Sequence, residues 1–173
     1  MALGRRDIVR LFRLLNDELC ASGLSGEVYL VGGAVMCTVF EARHSTQDLD
    51  ASFRPVRAIR EAVQRIASAH DYPEHWLNDA VKGFLSDRGQ FNPYLQLSHL
   101  QVFTASAAYL LAMKCLAMRL GAEFHDEQDI RYLLRYLNVA DYSQALGIIE
   151  QYYPLQRFPQ KTLYALQELL EGT

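Results

Sequence analysis

The chain lacks most of the features that mark specialised protein classes. Its 173 residues include one tryptophan, five prolines and three cysteines, and only 21% are charged, with a formal net charge of −3. No run of 18 apolar residues occurs, so no membrane-spanning helix is expected, and the polar and charged residues among positions 1–13 leave no apolar stretch for a secretory signal. A cytoplasmic address is the default expectation. Cys20, Cys37 and Cys115 are odd in number, lie far apart and form no CxxC pair, which argues against a disulfide framework or a cysteine zinc site. Cys20 and Cys115 fall within apolar helical patterns, as small hydrophobic residues would, and all three are read as reduced thiols. His44, His70, His75, His99 and His125 show neither HxxxH nor HExxH spacing, so no zinc is expected. The absence of GxSxG and of GxxxxGK[ST] disfavours an α/β-hydrolase or a P-loop enzyme. A pI near 5.9 argues against coating nucleic acid by charge alone, though not against local contact through a few Arg and Lys.

What the chain does have is apolar residues, at 50% of the total, and enough length to bury roughly two thirds of the surface its unfolded form would expose. Ile8, Leu11, Phe12, Leu15 and Leu19 recur at helical spacing, predicting an amphipathic helix over about 6–21 that Gly23 and Gly26 end. Residues 27–31 (EVYLV) suit a strand, and they run into Gly32-Gly33 and a small-residue stretch, 34–42, that reads as a helix. Residues 48–53 (DLDASF) alternate as a half-buried strand would. Pro55 fits the first turn of a helix in which Val56, Ile59, Val63 and Ile66 recur. Residues 76–81 (WLNDAV) read as a brief helix with Trp76 as a packing anchor, and 94–104 as one long or two short strands with a kink near Ser98. From Ala105 the pattern is helical. One face carries Tyr109, Leu110, Met113, Leu116, Ala117 and Leu120 up to Gly121, and later helices carry Ile130 to Leu137, Ala145 to Ile149, and Leu163, Leu166 and Leu170. The predicted class is α+β: a small mixed sheet flanked by helices over 1–104, followed by a helical subdomain over 105–173 packed on that core.

Residues 29–53 carry the chemistry. Glycines after a strand let the backbone turn tightly and approach a ligand, and a following helix offers unpaired N–H groups to a phosphate. Asp48 and Asp50 are two apart on a predicted strand, so both carboxylates leave one face, where like charges repel unless a cation lies between them. Mg²⁺, or Mn²⁺ in its place, held by these carboxylates and substrate phosphate oxygens would meet that requirement. The bland alternative is a chance GG and a solvated strand edge. Order and spacing together favour phosphoryl or nucleotidyl transfer over either fragment alone.

The same segment resembles the DNA polymerase β-like nucleotidyltransferase superfamily, whose pattern is an apolar residue, Gly-Gly or Gly-Ser, a spacer and then acid-apolar-acid. Within it the chain is similar to a small bacterial group described by a domain of unknown function numbered 6036, related to abortive-infection toxins. The supporting stretches are STQDLD at 45–50, WLNDAV at 76–81, and a late helix with Lys114 and Arg119 followed by HDEQDI at 125–130. The resemblance covers roughly 25–137. It implies a nucleotidyltransferase-like fold, Gly32 and Gly33 as the phosphate turn, Asp48 and Asp50 as the metal pair, and Lys114 and Asp129 as the lysine and late acid of the catalytic set. Many members carry a third carboxylate on a later strand, yet no Asp or Glu occurs between Arg88 and Ala122. Either Asp129 substitutes, or one metal binds well and turnover is slow, or catalysis is lost.

Other readings of these residues stand beside that one. An ammonium at Lys114 would offset charge on transferring and leaving oxygens, or it is a surface lysine snorkelling. Asp129 would hold Lys114 or align a hydroxyl, or it is a first-turn acid favoured by the helix dipole. Arg43, Ser45 and Thr46 either contact phosphate or shape the turn before the strand. The leading expectation is a metal-dependent transferase moving NMP from an NTP to an RNA, with a tRNA 3′ end included, or to a protein hydroxyl. By resemblance it would be the toxin of a toxin–antitoxin pair with an antitoxin partner. The alternatives are a catalytically weak nucleotide-binding or interaction module, and a structural α+β protein.

Overall fold

The computed structural model describes residues 1–121 and 124–172. In chain order the elements are β1 (Leu3–Gly4), α1 (Arg5–Ala21), β2 (Gly26–Leu30), α2 (Gly32–Thr38), β3 (Ser45–Thr46), β4 (Leu49–Arg54), α3 (Val56–His70) and β5 (Leu77–Asn78). A 3₁₀ turn (Ala80–Phe84), β6 (Phe91–Gln96) and β7 (Leu100–Ala105) follow, then α4 (Ala107–Leu116), α5 (Asp126–Tyr136), α6 (Tyr142–Ile149), a second 3₁₀ turn (Leu155–Arg157) and α7 (Gln160–Glu171). The class is α+β. The chain divides into two compact units, Met1–Gly83 with Phe91–Ala105, and Phe84–Gln90 with Ser106–Thr173.

The first unit is built on a five-stranded mixed sheet of order β5-β4-β2-β7-β6. β2 is central, antiparallel to β4 (Leu30↔Ala51) and parallel to β7 (Leu30↔Thr104), so the end of β2, the start of β4 and the end of β7 share one sheet edge. Alternation assigns the faces. Val28, Leu30, Leu49, Ala51, Phe53, Leu100 and Val102 are buried on one side. The helices on that core present the faces their periodicity predicts: Ile8, Leu11, Phe12, Leu15 and Leu19 of α1, and Ile59, Val63 and Ile66 of α3, all buried. Trp76 anchors this core, fully buried, with its indole N–H donating to the Val63 carbonyl at 3.2 Å. On the other face Tyr29 stacks on Phe103 at 5.0 Å and meets Phe91 edge-on at 5.2 Å.

The second unit centres on α4, in which Tyr109, Leu110, Leu111, Ala112 and Cys115 are all fully buried, as expected of a helix that is apolar all round. Ser106 caps it, its Oγ accepting from Tyr109 N at 3.3 Å. The segment 84–90 is tied into this unit: Ser86 N donates to Tyr109 Oη at 2.8 Å and Ser86 Oγ to the Tyr152 carbonyl at 2.6 Å.

Several expectations need correction. The helix predicted over 34–42 ends at Thr38, because Glu41 takes a left-handed φ of 53° and Ala42 N folds back to the Met36 carbonyl. Residues 76–81 are not a helix. Leu77–Asn78 pairs in parallel with Leu49–Asp50, and a 3₁₀ turn starts only at Ala80. The helix after Ala105 stops at Leu116, short of Leu120, where the chain turns so that Arg119 N reaches Asp126. The last helix buries Thr162, Leu166 and Leu169, a face rotated from the predicted Leu163, Leu166 and Leu170. Cys20 is exposed rather than apolar filling. Among the described residues, no helix is long and apolar enough to cross a membrane.

Candidate functional site

The site begins where β2 ends. Val31 keeps an extended backbone and bonds to β4 through its N–H and the Asp50 carbonyl at 2.9 Å, and Gly32 then turns at a φ of 67° to open α2. That left-handed φ favours glycine. A Cβ on Gly32 would sit 3.2 Å from Asp50 Oδ2, and one on Gly33 would sit 2.9 Å from Thr46 Oγ1 and 3.0 Å from Arg43 Nη1. The diglycine turn is thus walled by a carboxylate at one residue and by a hydroxyl and a guanidinium at the next.

The neighbouring chain fixes those walls. Thr46 lies on β3, which pairs with β1 through Leu3↔Thr46 and Gly4↔Ser45, and its hydroxyl donates to the Asp48 carbonyl at 3.1 Å. Ser45 occupies the register position beside Gly4. Asp48 precedes β4 by one residue instead of starting it, so the predicted strand begins at Leu49. Its carboxylate accepts from Asn78 Nδ2 at 3.3 Å, while Asn78 is the strand partner of Asp50. Asn78 therefore abuts both acids, a role invisible in sequence because it depends on parallel pairing of two-residue β5. Asp79, next in the chain, is bonded by Arg60 at 2.7 Å and by Lys82. Burial pushes its pKa up, but the Lys82 and Arg60 hydrogen bonds outweigh that and hold it below the ordinary carboxylate value.

Asp50, Arg43 and Thr46 thus flank the Gly32–Gly33 turn of the first unit, and Asp48 is tied to this group through its carbonyl bond from Thr46 and its carboxylate bond from Asn78; all six residues are half-buried. Cys37, on α2 behind the turn, is buried, and burial raises its thiol pKa against the opposing charges of Arg43 and Arg5. At the same sheet edge β7 delivers Thr104, Ala105 and then Ser106, with no acid at a third strand position.

Lys114 and Asp129 lie in the second unit, where they form an ion cluster. Lys114 Nζ is 2.6 Å from Asp129 Oδ2 and 3.3 Å from Asp126 Oδ1, with side-chain exposures of 10%, 3% and 7%. Arg119 completes it, donating to Asp126 Oδ2 from Nε at 3.0 Å and from its backbone N at 3.1 Å. Burial raises the Asp126 pKa, but the Arg119 hydrogen bonds and the Lys114 charge prevail and leave it below the usual value. Asp126 has a signal in the sequence: it is three residues before Asp129 on one helix, hence on the same face.

Among the described residues, no group of three His, Cys, Asp or Glu side chains is placed to hold a metal ion. Two carboxylates alone do not make a resident metal centre, but two carboxylates completed by phosphate oxygens and water suit Mg²⁺ or Mn²⁺. No protein-family model, curated protein or solved structure matches the chain.

Proposed function

We propose that the chain is a metal-dependent nucleotidyltransferase whose site is the Gly32–Gly33 turn of the first unit. The observation that carries this reading is the wall of that turn: Asp50 against the space a Gly32 side chain would fill, and Arg43 and Thr46 against that of Gly33. An NTP phosphate approaches backbone only where side chains are absent, and glycine supplies that absence. Arg43 would fork two N–H donors onto a phosphate, and the Thr46 hydroxyl would donate a further bond. Asp48 and Asp50 would hold Mg²⁺ or Mn²⁺ together with phosphate oxygens, and Asn78 would steady the Asp48 carboxylate. The metal would supply charge against that developing on the phosphate oxygens. In the transfer an acceptor hydroxyl oxygen bonds the α-phosphorus as the bond to the β-phosphate oxygen breaks, releasing pyrophosphate. The acceptor would be an RNA end, tRNA included, or a protein hydroxyl, and the resemblance to toxin-like enzymes supports a toxin role with an antitoxin partner.

A second reading has its own support. With no acid on β7 and with Lys114 held between Asp126 and Asp129, a nucleotide-binding module that works by engaging a partner uses the same turn. The experiment incubates the protein with each α-labelled NTP, Mg²⁺ and total tRNA, beside Asp48→Ala and Asp50→Asn. Label on RNA or protein that disappears in both variants is the expected result. Label that survives them refutes the site. Calorimetric binding of Mg²⁺·NTP without transfer to any acceptor supports the module, and no heat from the wild type removes both readings.

A further inference from the structure

A strongly basic surface lies on the exposed face of α1. Although the chain is net acidic, 14 of its 17 basic residues are arginines, and four of those, Arg5, Arg6, Arg10 and Arg13, fall within nine residues. The buried stripe of α1 holds Ile8, Leu11, Phe12, Leu15 and Leu19, which leaves Arg6, Arg10 and Arg13 at i, i+4 and i+7 on the opposite face, all exposed. Together with Arg5 and Val9 they line an open recess of about 470 Å³. Asp17, one turn beyond Arg13, ends the stripe.

Partners distinguish these arginines from the others on the helices of the first unit. Arg57, Arg60 and Arg65 of α3 are each paired with an acid, Glu61, Asp79 and Glu18, and Arg5 is paired with Glu41. Among the described residues no ion pair is made by Arg6, Arg10 or Arg13. Three like charges along about 10 Å of helix repel one another unless anions approach them. Arginine's planar fork matches phosphate, and an array of three in line suits a polymer of phosphates. A membrane surface fits less well, because the apolar face of α1 is already packed in the core and has nothing to insert.

We propose that Arg6, Arg10 and Arg13 form a docking rail for the phosphate backbone of a nucleic-acid strand. The rail starts beside the candidate site: β1 runs directly into α1 and pairs with Ser45–Thr46, and Thr46 walls Gly33. As a guide for the acceptor, the rail rests on the nucleotidyl-transfer reading and selects RNA over a protein hydroxyl; the binding itself needs no NTP and no metal.

The test is fluorescence anisotropy of a labelled 16-nucleotide single-stranded RNA with the full chain, in EDTA and without NTP, across a salt series. The variants are Arg6→Gln/Arg10→Gln/Arg13→Gln and the corresponding triple lysine form, both on an exposed face and both checked by circular dichroism. Three lost phosphate contacts lower the slope of log K against log salt by about 2 and weaken binding about a hundredfold near 0.1 M salt. The lysine triple keeps most of the slope, and Arg57→Gln, which removes an arginine already paired with Glu61, binds like the wild type. Wild-type protein that fails to bind, or a glutamine triple with unchanged affinity and slope, overturns the rail. Equal stripe-dependent binding to polyglutamate or to phosphatidylglycerol vesicles also overturns it. Binding that depends on the stripe while no NTP is transferred leaves the rail standing and removes only the transfer reading.

Discussion

Replacing Lys114 by Met keeps a long unbranched side chain and removes the ammonium from a buried cluster. In the wild type that ammonium lies 2.6 Å from Asp129 and 3.3 Å from Asp126, whose side chains are 3% and 7% exposed. Breaking a buried pair by removing one partner costs about 3–5 kcal/mol, mostly because a charge is left uncompensated. Asp126 retains two donors from Arg119, which places the expected loss at the lower end, about 3 kcal/mol. For a chain of this size that is a fall in Tm of about 6–12 °C. The pH dependence has a definite sign. Asp126 titrates below its unfolded value, so it adds stability above the unfolded carboxylate pKa that is lost as pH falls through the folded one. Without Lys114 one cause of that depression is gone, so the gap between wild type and variant is widest near pH 7 and narrows toward about pH 4. Thermal unfolding by circular dichroism at several pH values measures this. A Lys114→Met protein within about a degree of the wild type, or a gap that widens in acid, refutes the reasoning. Activity assayed well below the Tm then separates the two roles of Lys114: a confined structural lysine leaves transfer nearly intact, a catalytic one does not.

Gly32→Ala meets both a left-handed φ and Asp50 Oδ2 at 3.2 Å, so it is expected to lose about 1–2 kcal/mol and to weaken Mg²⁺·NTP binding. Gly23→Ala is the control: its φ is 66° with nothing within 4 Å of the added Cβ, so urea midpoints fall alike while calorimetry shows nucleotide binding kept. Equal nucleotide binding by both variants counts against the turn. With a thiol reagent at pH 8, only exposed Cys20 reacts quickly, because Cys37 is buried and burial pushes the Cys115 thiol up to about 12. Three thiols appear in denaturant, and more than one fast thiol in the native protein contradicts the packing of α2 or α4.

Much of the fold is legible where one period governs a segment. The 3.6-residue repeat of Ile8 to Leu19 gives α1 and its buried face without any partner being known, and the two-residue alternation around Leu49, Ala51 and Phe53 gives β4. The approach of Asp50 to the diglycine turn is legible for a similar reason: strand, turn and strand follow one another within about 20 residues.

What failed to show depends on contacts between distant residues. Residues 76–81 have no local preference strong enough to hold either state, and pairing of Leu77–Asn78 with Leu49–Asp50 makes them a strand and sets Asn78 against Asp48. Asp126, Lys114 and Arg119 read as separate helix residues until α4 and α5 pack together. By itself the sequence determined most of the longer elements and the residue types that follow one another at one turn, because backbone propensity and side-chain period act over a few residues. Tertiary structure alone decided that Asn78 stands against Asp48 and that Asp126 and Arg119 join Lys114 and Asp129 in one ion cluster, because strand pairing, burial and charge pairing act through space between residues far apart in the chain.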